Sequence, residues 1–182
     1  PGKPLKKING KEMISIVWEI CEKAVSKKNT LIATDSKKIY NFCNKKSYNV
    51  IMTSTKCLTG TDRLYEVSKK IKKDFYINVQ GDEPLISIND IKKFVKYANK
   101  NKNEVINAYT DILSSKDYYS LNVPKLVFDK SKNLLYMSRS NIPGNKKNKF
   151  IKSYKQVCIY SFPYKYLEVF GKITKKTQFE NI

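Results

Sequence analysis

Two adjacent carboxylates, Asp82 and Glu83, follow a short apolar segment and could bind a metal ion. Residues 75–79 are mostly β-branched, aromatic or apolar, which predicts a buried strand. Gly81 allows the backbone to turn sharply after that strand, and Pro84 prevents the sheet ladder from continuing. Because ligands of open α/β sheets bind beyond the carboxyl ends of strands, this pattern predicts a metal or phosphate site. The alternative is a strand followed by an acidic, solvated turn.

The chain has 182 residues and contains no histidine. This excludes a Ser-His-Asp triad, a Cys-His pair, a His-ligated zinc site and an imidazole general base. Any chemistry must therefore use carboxylates, lysines, arginines, hydroxyls, backbone amides and a hard metal ion.

The formal net charge is +20, which is typical of proteins that bind phosphate backbones. However, the lysines are spread along the whole chain instead of forming one arm or stripe, so we predict no nucleic-acid partner. Arg63 and Arg139 are the only arginines among 36 basic residues. The planar guanidinium binds phosphate or carboxylate with two parallel hydrogen bonds, which lysine cannot do. These two positions are therefore candidate binding residues.

Length and composition predict one domain over residues 1–182, which we expect to be part of a longer protein because Pro1 is not an initiator methionine. No segment approaches the ~20 apolar residues that span a bilayer, so no membrane partner is predicted. Four cysteines without C-x-x-C spacing predict reduced thiols in a cytoplasmic protein: Cys21, Cys43, Cys57 and Cys158.

The first hundred residues alternate between strand and helix patterns. Predicted strands occupy residues 30–34, 48–53 and 75–79, and predicted helices occupy residues 12 to about 29, 37–45, 59–71 and 88–100. This alternation predicts an α/β fold with right-handed crossovers and a largely parallel sheet. Later, strands are predicted at 105–110, 124–128, 134–138 and 154–162, and a short helix at 163–170. The first three of these strands lie in a small β excursion at about residues 105–152.

Local signals assign several residues to helix starts or to the core. Asp35 and Ser36 are predicted to cap the helix that follows them, and Thr61 or Asp62 to satisfy the first amides of the next one. Ser87 and Asp90 form a capping-box-like start, and Trp18 is predicted to be a core residue. The amino end of the helix predicted at residues 59–71, where Gly60 lies, suits an anionic or polar ligand.

Six motifs occur along the chain: P-G-K-P-L at Pro1, A-T-D at Ala33, T-G-T-D-R at Thr59, N-V-Q-G-D-E-P-L at Asn78, Y-M-S-R-S-N-I-P at Tyr136 and Q-V-C-I-Y at Gln156. Together they resemble the 3-deoxy-manno-octulosonate cytidylyltransferases, also called CMP-Kdo synthetases, over nearly the whole chain. The resemblance implies a three-layer, Rossmann-like nucleotidyltransferase fold with a mostly parallel central sheet and a β-hairpin excursion.

The resemblance also implies the reaction and its participants. The anomeric hydroxyl of a 3-deoxy-2-ulosonic acid, Kdo or a close relative, would attack the α-phosphorus of CTP. Pyrophosphate would leave, and the CMP-sugar would serve the synthesis of lipopolysaccharide or another surface polysaccharide. Mg²⁺ is the implied cofactor, and a homodimer formed through the strands around residues 123–138 is the implied assembly.

The matching motifs assign roles by resemblance. Lys3 and Asp82 would be the catalytic residues, with Lys3 neutralising the triphosphate and Asp82 binding Mg²⁺. The residues implied to bind the nucleotide are Lys3, Thr59, Gly60, Thr61, Asp62 and Arg63, with Arg63 near the cytosine. The residues implied to bind the sugar acid are Gln80, Arg139, Gln156 and Tyr160.

The chain departs from the family pattern at three places. The family's first strand with its Arg-rich phosphate loop, and a C-terminal region with a second metal-binding aspartate, are expected beyond the two ends. Gln156 stands where the family usually has histidine. Alternatives therefore stay open: a synthetase for amino-Kdo or a sialic-acid-like ulosonic acid, an inactive homologue, or a basic nucleic-acid-binding module. Individually, Arg139 could be a surface ion-pair partner, Tyr160 a core aromatic and Glu83 a turn acid.

Overall fold

The structure, a computed structural model, describes residues 2–173 together with residues 175 and 178. Pro1, which opens the first motif, lies outside the described residues. The chain divides into two compact units, of which the first comprises Pro1–Ile106 with Ile159–Ile182 and the second comprises Asn107–Cys158. The second unit overlaps the β excursion predicted at about residues 105–152. Whether residues 1–182 behave as one domain stays a prediction.

The helices alternate with strands in the first half of the chain, as predicted. They are α1 (Met13–Val25), α2 (Lys37–Lys45), α3 (Gly60–Lys70), α4 (Ile88–Lys100), α5 (Ser115–Tyr119) and α6 (Tyr164–Gly171), with 3₁₀ turns at Lys3–Leu5 and Lys27–Asn29. The prediction missed α5 because five residues are too few to show a helical period. Its only local signal is Ser114, whose side chain caps the helix by accepting from the Asp117 amide.

The strands are β1 (Lys7–Ile8), β2 (Lys11–Glu12), β3 (Ile32–Thr34), β4 (Val50–Met52), β5 (Phe75–Val79), β6 (Ile106–Asp111), β7 (Lys125–Phe128), β8 (Leu134–Ser138) and β9 (Tyr154–Pro163). The β1–β2 hairpin was not predicted. Its turn is Asn9-Gly10, and both residues have positive φ, 49° and 82°. Asn-Gly is the preferred sequence of a two-residue hairpin turn, so the signal was present.

The core of the first unit contains side chains from α1, α2, β3 and β4. Ile14 of α1 is buried with Ile39 and Cys43 of α2, and Ile32 and Val50 pack against this cluster. Strands β3 and β4 are parallel, with Ile32 opposite Val50. The carboxyl ends of both strands therefore lie at the same edge.

Two local predictions in the first unit are confirmed. Trp18 is 2% exposed, and its ring stacks on Tyr48 with the ring centroids 4.7 Å apart. At the start of α4 the Asp90 amide donates to the Ser87 hydroxyl over 3.0 Å, and that hydroxyl donates to the Asp90 carboxylate over 2.7 Å.

Strand direction changes after β4. In the first unit β5 pairs antiparallel with β9, from Phe75 opposite Pro163 to Val79 opposite Ile159. In the second unit β7 pairs antiparallel with both β8 and β9, with Lys125 opposite Ser138 on one side and Lys155 on the other. The predicted α/β class is confirmed. Among the described residues, β3 pairs in parallel with β4, whereas β5, β7 and β8 pair antiparallel with their neighbours. β9 runs antiparallel to β5 although α4 and α5 lie between them in the chain, so the alternation of strands and helices does not fix strand direction here.

All four cysteines are free thiols, as the spacing predicted. Burial raises the pKa of the Cys21 and Cys43 thiols to about 11. Such thiols stay protonated at neutral pH and are poor nucleophiles, so neither is a catalytic candidate. Among the described residues, no helix combines the length and apolar character needed to cross a membrane.

The packing of α6 on α3 depends on a glycine. A β-carbon added at Gly171 would overlap the ring of Tyr65, whereas one added at Gly81 would meet no atom within 4 Å. Gly171→Ala should therefore lower the free energy of unfolding by about 1–3 kcal/mol through overpacking, measured by urea denaturation. Gly81→Ala, the matched control, should change it little. Equal effects of the two substitutions would contradict this packing.

Candidate active site

The site begins where β5 ends, in the first unit. After Val79 the chain makes two consecutive turns, in which the Glu83 amide donates to the Gln80 carbonyl and the Ile86 amide to the Glu83 carbonyl. Asp82 lies within the first of these turns. Its Oδ2 accepts a hydrogen bond from Lys3 Nζ over 2.7 Å. The two residues assigned to catalysis by resemblance are thus in direct contact, although 79 positions separate them.

Local backbone geometry places Lys3. Gly2 has φ 77°, a left-handed conformation that glycine adopts without strain, and it precedes the 3₁₀ turn Lys3–Leu5. The Leu5 and Lys6 amides close the turn by donating to the Gly2 and Lys3 carbonyls. Residues 2–6 therefore form an ordered turn that presents the Lys3 side chain.

The Lys3–Asp82 pair is accessible to solvent, with side-chain exposures of 62% and 38%. The hydrogen bond to Asp82, followed by its negative charge, raises the pKa of the Lys3 ammonium. Lys3 therefore stays protonated throughout the neutral and mildly alkaline range. An exposed cation at this position can meet an incoming phosphate.

Asp82 could serve as one carboxylate ligand of Mg²⁺. Mg²⁺ at nucleotide sites usually takes one or two protein carboxylates, with phosphate and water oxygens completing its octahedral shell. Among the described residues, no group of three or more His, Cys, Asp or Glu side chains is placed to hold a metal ion. One accessible carboxylate fits a metal ion shared with a nucleotide, and does not fit a metal bound by protein alone.

The start of α3 is held by a capping box. Thr59 Oγ1 accepts from the Thr61 and Asp62 amides, and Asp62 Oδ2 accepts from the Thr59 amide over 2.7 Å. The prediction that Thr61 or Asp62 satisfies the first amides of this helix is confirmed only for Asp62, which accepts from the Thr59 amide. The Thr61 and Asp62 amides instead donate to Thr59, which has the extended backbone of an N-cap. Thr59 and Asp62 thus hold the helix terminus in place.

Gly60 brings this helix terminus next to β5. A β-carbon added at Gly60 would lie 3.5 Å from Asn78 Nδ2, near the end of that strand. The amino end of a helix attracts negative charge through its unpaired amides and its dipole. The first unit therefore places a helix N-terminus close to the strand that leads to Asp82.

Arg63 binds two side chains at the ends of the parallel strands. Its Nη2 lies 2.9 Å from Asp35 Oδ2, and its Nη1 lies 2.5 Å from Thr53 Oγ1. Asp35 follows β3 and Thr53 follows β4. The prediction that Asp35 caps α2 is wrong, because Ser36 accepts from the Ile39 amide and leaves Asp35 to pair with Arg63.

Sequence reasoning missed this three-residue network of Asp35, Thr53 and Arg63. The available signal was that the carboxyl ends of parallel strands meet at one edge, where polar residues following two strands come together. A guanidinium is suited to such a place because its fork can bind two acceptors at once. The network ties α3 to both strand ends.

Gln80 and Tyr160, implied to bind the sugar acid, also belong to the first unit. Gln80 is exposed and directly follows β5. Tyr160 lies opposite Asn78 in the β5–β9 register, with its ring centroid 6.0 Å from that of Phe162. Both are therefore at or beside the end of β5.

Arg139 and Gln156, also implied to bind the sugar acid, are brought together within the second unit. They are the residues after Ser138 and Lys155, which face Lys125 from the two sides of β7. They therefore flank the start of β7, with backbones about 10 Å apart, since neighbouring strands are about 4.8 Å apart. Arg139 Nη1 donates to the Leu121 carbonyl over 3.0 Å, not to a carboxylate.

Comparisons with known proteins agree with the sequence motifs. The family model described as "Cytidylyltransferase" matches residues 1–182. The chain belongs to the cytidylyltransferase family. The resemblance found in the sequence is thereby confirmed, and so is the nucleotidyltransferase activity expected of the family.

Several cytidylyltransferases are close relatives. The 8-amino-3,8-dideoxy-manno-octulosonate cytidylyltransferase of Shewanella pealeana is 36% identical over 179 residues, which are 95% of this chain and 73% of that protein. The mitochondrial 3-deoxy-manno-octulosonate cytidylyltransferase of Arabidopsis thaliana is 35% identical over 177 residues, which are 94% of this chain and 61% of that protein.

A solved structure shares the fold. CMP:2-keto-3-deoxy-manno-octonic acid synthetase, complexed with CTP, superposes with a TM-score of 0.88 at 30% identity, covering 100% of this chain and 75% of the other. The predicted nucleotidyltransferase fold is thereby confirmed for this cytidylyltransferase.

The network around Arg63 yields a stability prediction. Arg63→Lys keeps the charge but cannot bind Asp35 and Thr53 together, so the free energy of unfolding should fall by about 1 kcal/mol or more. Lys172→Met is a suitable control, because its ion pair with Glu168 is exposed and should contribute under about 0.5 kcal/mol. Urea denaturation measures both, and an Arg63→Lys variant as stable as the control would contradict the network's role.

Proposed function

We propose that this chain forms the nucleotidyl-transferring part of an enzyme that activates a 3-deoxy-2-ulosonic acid, Kdo or a close relative, with CTP. The products are the CMP-sugar and pyrophosphate. The observation that carries the proposal is the accessible Lys3–Asp82 pair at the end of β5, in a chain that belongs to the cytidylyltransferases. Lipopolysaccharide or another surface polysaccharide is the proposed destination of the sugar.

The reaction is an in-line displacement at phosphorus. The anomeric hydroxyl oxygen of the sugar forms a bond to the α-phosphorus, the bond from this phosphorus to the bridging oxygen breaks, and the hydroxyl proton leaves to solvent. Such a transfer depends mainly on positioning and on neutralising phosphate charge, so a site without histidine is sufficient.

The residues at the end of β5 serve the nucleotide. Lys3 binds the triphosphate and offsets its charge. The positive end of the α3 dipole, at Gly60, attracts a further anionic or polar group of CTP. Arg63 acts through the position of α3, because its guanidinium already binds Asp35 and Thr53.

Asp82 is the proposed ligand of the cofactor Mg²⁺. When bound, Mg²⁺ neutralises phosphate charge and polarises the phosphoryl oxygens. Lys3 Nζ donates to Asp82 Oδ2, so the proposed metal ligand and the proposed triphosphate-binding cation are adjacent.

Gln80, Arg139, Gln156 and Tyr160 are the proposed sugar-binding residues. Arg139 has a planar fork that matches the carboxylate of an ulosonic acid. Gln156 presents one carbonyl acceptor and two amide donors and stays neutral, whereas a histidine could carry charge.

We also propose a homodimer formed through β8. This strand ends the order of paired strands among the described residues, and it exposes Leu134, Leu135 and Tyr136 by 53%, 65% and 60%. Burial of such side chains against a second copy would remove apolar surface from water.

The free thiols fit a cytoplasmic protein.

The second candidate substrate is an amino-substituted ulosonic acid. It is favoured by Gln156, whose carbonyl can accept from an amino group, and by the name of the Shewanella relative. A site built for one hydrogen-bonding pattern rejects a ligand that leaves its polar groups unpaired. The two substrates are distinguished by the same assay that tests the function.

That assay is pyrophosphate release by the full-length protein with CTP and Mg²⁺, using Kdo and 8-amino-3,8-dideoxy-manno-octulosonate. CTP-dependent release with at least one acid is expected, and no release with either would overturn the proposed function. Gln156→His should shift the ratio of kcat/KM values about tenfold towards Kdo. Gln178→His, the same change at a position with no proposed role, should leave the ratio unchanged. An unmoved ratio in Gln156→His would mean that this position does not select the sugar.

A further inference from the structure

Lys125 is a buried cation at the start of β7. Its relative exposure is 0%, although lysine is almost never fully buried in proteins. Desolvation of an ammonium costs several kcal/mol unless its hydrogen bonds are replaced. The buried ammonium of Lys125 therefore needs hydrogen-bond acceptors that replace its lost water.

Two backbone carbonyls compensate the Lys125 ammonium. Nζ donates to the Ser120 carbonyl over 2.6 Å and to the Arg139 carbonyl over 2.8 Å. Both acceptors are neutral. Burial, followed by the nearby charge of Arg139, lowers the pKa of Lys125. Among the described residues, the hydrogen-bond acceptors of this buried ammonium are the two main-chain oxygens.

These hydrogen bonds close a ring around Arg139. Its carbonyl is held by Lys125, and its guanidinium donates to the Leu121 carbonyl over 3.0 Å. Ser120, which precedes Leu121, is held by the same ammonium. Arg139 is therefore fixed from both its main chain and its side chain by the segment that leads into β7.

The segment that forms the other half of the ring is itself ordered. The Ser120 amide donates to the Lys116 and Asp117 carbonyls of α5, and its own carbonyl also accepts from the Val123 amide over 3.2 Å. Its hydroxyl accepts from the Asn122 amide over 3.2 Å. The ring thus connects Arg139 to a turn with little freedom to move.

Arg139 keeps donor capacity for a ligand. A guanidinium has five N–H donors, the Leu121 carbonyl takes one, and the residue is exposed. An arginine that binds a carboxylate with two parallel hydrogen bonds must be held in one orientation, because this geometry is directional. We infer that Lys125 is a positioning residue that fixes Arg139 for the carboxylate of the ulosonic acid.

This inference rests on the proposed function, in which Arg139 binds the sugar acid. If Lys125 had only a structural role, its loss would lower stability and would weaken the binding of both substrates or of neither. If Lys125 positions Arg139, its loss weakens the binding of the sugar acid selectively, and only while Arg139 is present.

The test measures KM for Kdo, KM for CTP and kcat in the full-length protein, with 8-amino-3,8-dideoxy-manno-octulosonate replacing Kdo if it is the better substrate. Lys125→Met keeps the length of the side chain and removes the donors. It should raise KM for the sugar acid about tenfold or more and leave KM for CTP within about twofold, since one buried hydrogen-bonding group can account for this factor. If Lys125→Met does not fold, Lys125→Gln, which keeps one amide donor, should show the same selectivity with a smaller change.

Lys155→Met is the matched control. Lys155 lies opposite Lys125 on the neighbouring strand and pairs with Asp117 over 3.1 Å in the same unit. Its loss should leave KM for the sugar acid unchanged. In an Arg139→Ala background, Lys125→Met should add less than about twofold to that KM, because positioning and binding residues act as a unit.

The outcomes separate the two proposals. A wild type that releases no pyrophosphate with either acid overturns the proposed function and this inference with it. If the wild type is active, three results overturn the positioning role alone. They are an effect of Lys125→Met no larger than that of Lys155→Met, an equal rise in the KM for the sugar acid and the KM for CTP, and a full effect of Lys125→Met in the Arg139→Ala background.

Discussion

The ion pair between Lys3 and Asp82 is the contact on which the candidate active site depends. It joins the first turn of the described chain to the end of β5 over 2.7 Å. A chain with a net charge of +20 has an excess of cations for phosphate but few carboxylates for a metal ion. The fold places one of those carboxylates at a strand end and sets a lysine against it. Both charges are thereby located where a nucleotide can use them.

The rest of the first unit supports this arrangement. Thr59 and Asp62 fix the start of α3, and Arg63 holds the same helix to the ends of β3 and β4. These polar side chains satisfy one another, so they orient the helix terminus and need no ligand to do so. In the second unit Lys125 has a comparable effect on Arg139. Each unit thus contains one of the two arginines of this lysine-rich chain, and hydrogen bonds within the unit hold each of them, Arg63 and Arg139, in place.

Sequence reasoning predicted the elements whose signals are local. β5 and α4 have the predicted bounds because an abrupt strand end and a Ser-x-x-Asp cap are encoded within a few residues. The direction of β9 was not predictable in this way, because pairing depends on a chain return over many residues. Asp35 was assigned to a cap because its partner Arg63 is 28 positions away. The burial of Lys125 could not be predicted from the sequence, because nothing near it distinguishes it from the exposed lysines.

The central claim is that Asp82 couples Mg²⁺ to CTP at the end of β5. The most direct measurement is calorimetric titration of the full-length protein with CTP, with and without Mg²⁺, in the wild type and in Asp82→Asn. The account predicts that Mg²⁺ strengthens CTP binding to the wild type at least tenfold and that this gain largely disappears in Asp82→Asn, because one charged ligand is lost. Asp90→Asn, the same change at the start of α4, should retain the gain. An Asp82→Asn variant with the full Mg²⁺ dependence would contradict the account.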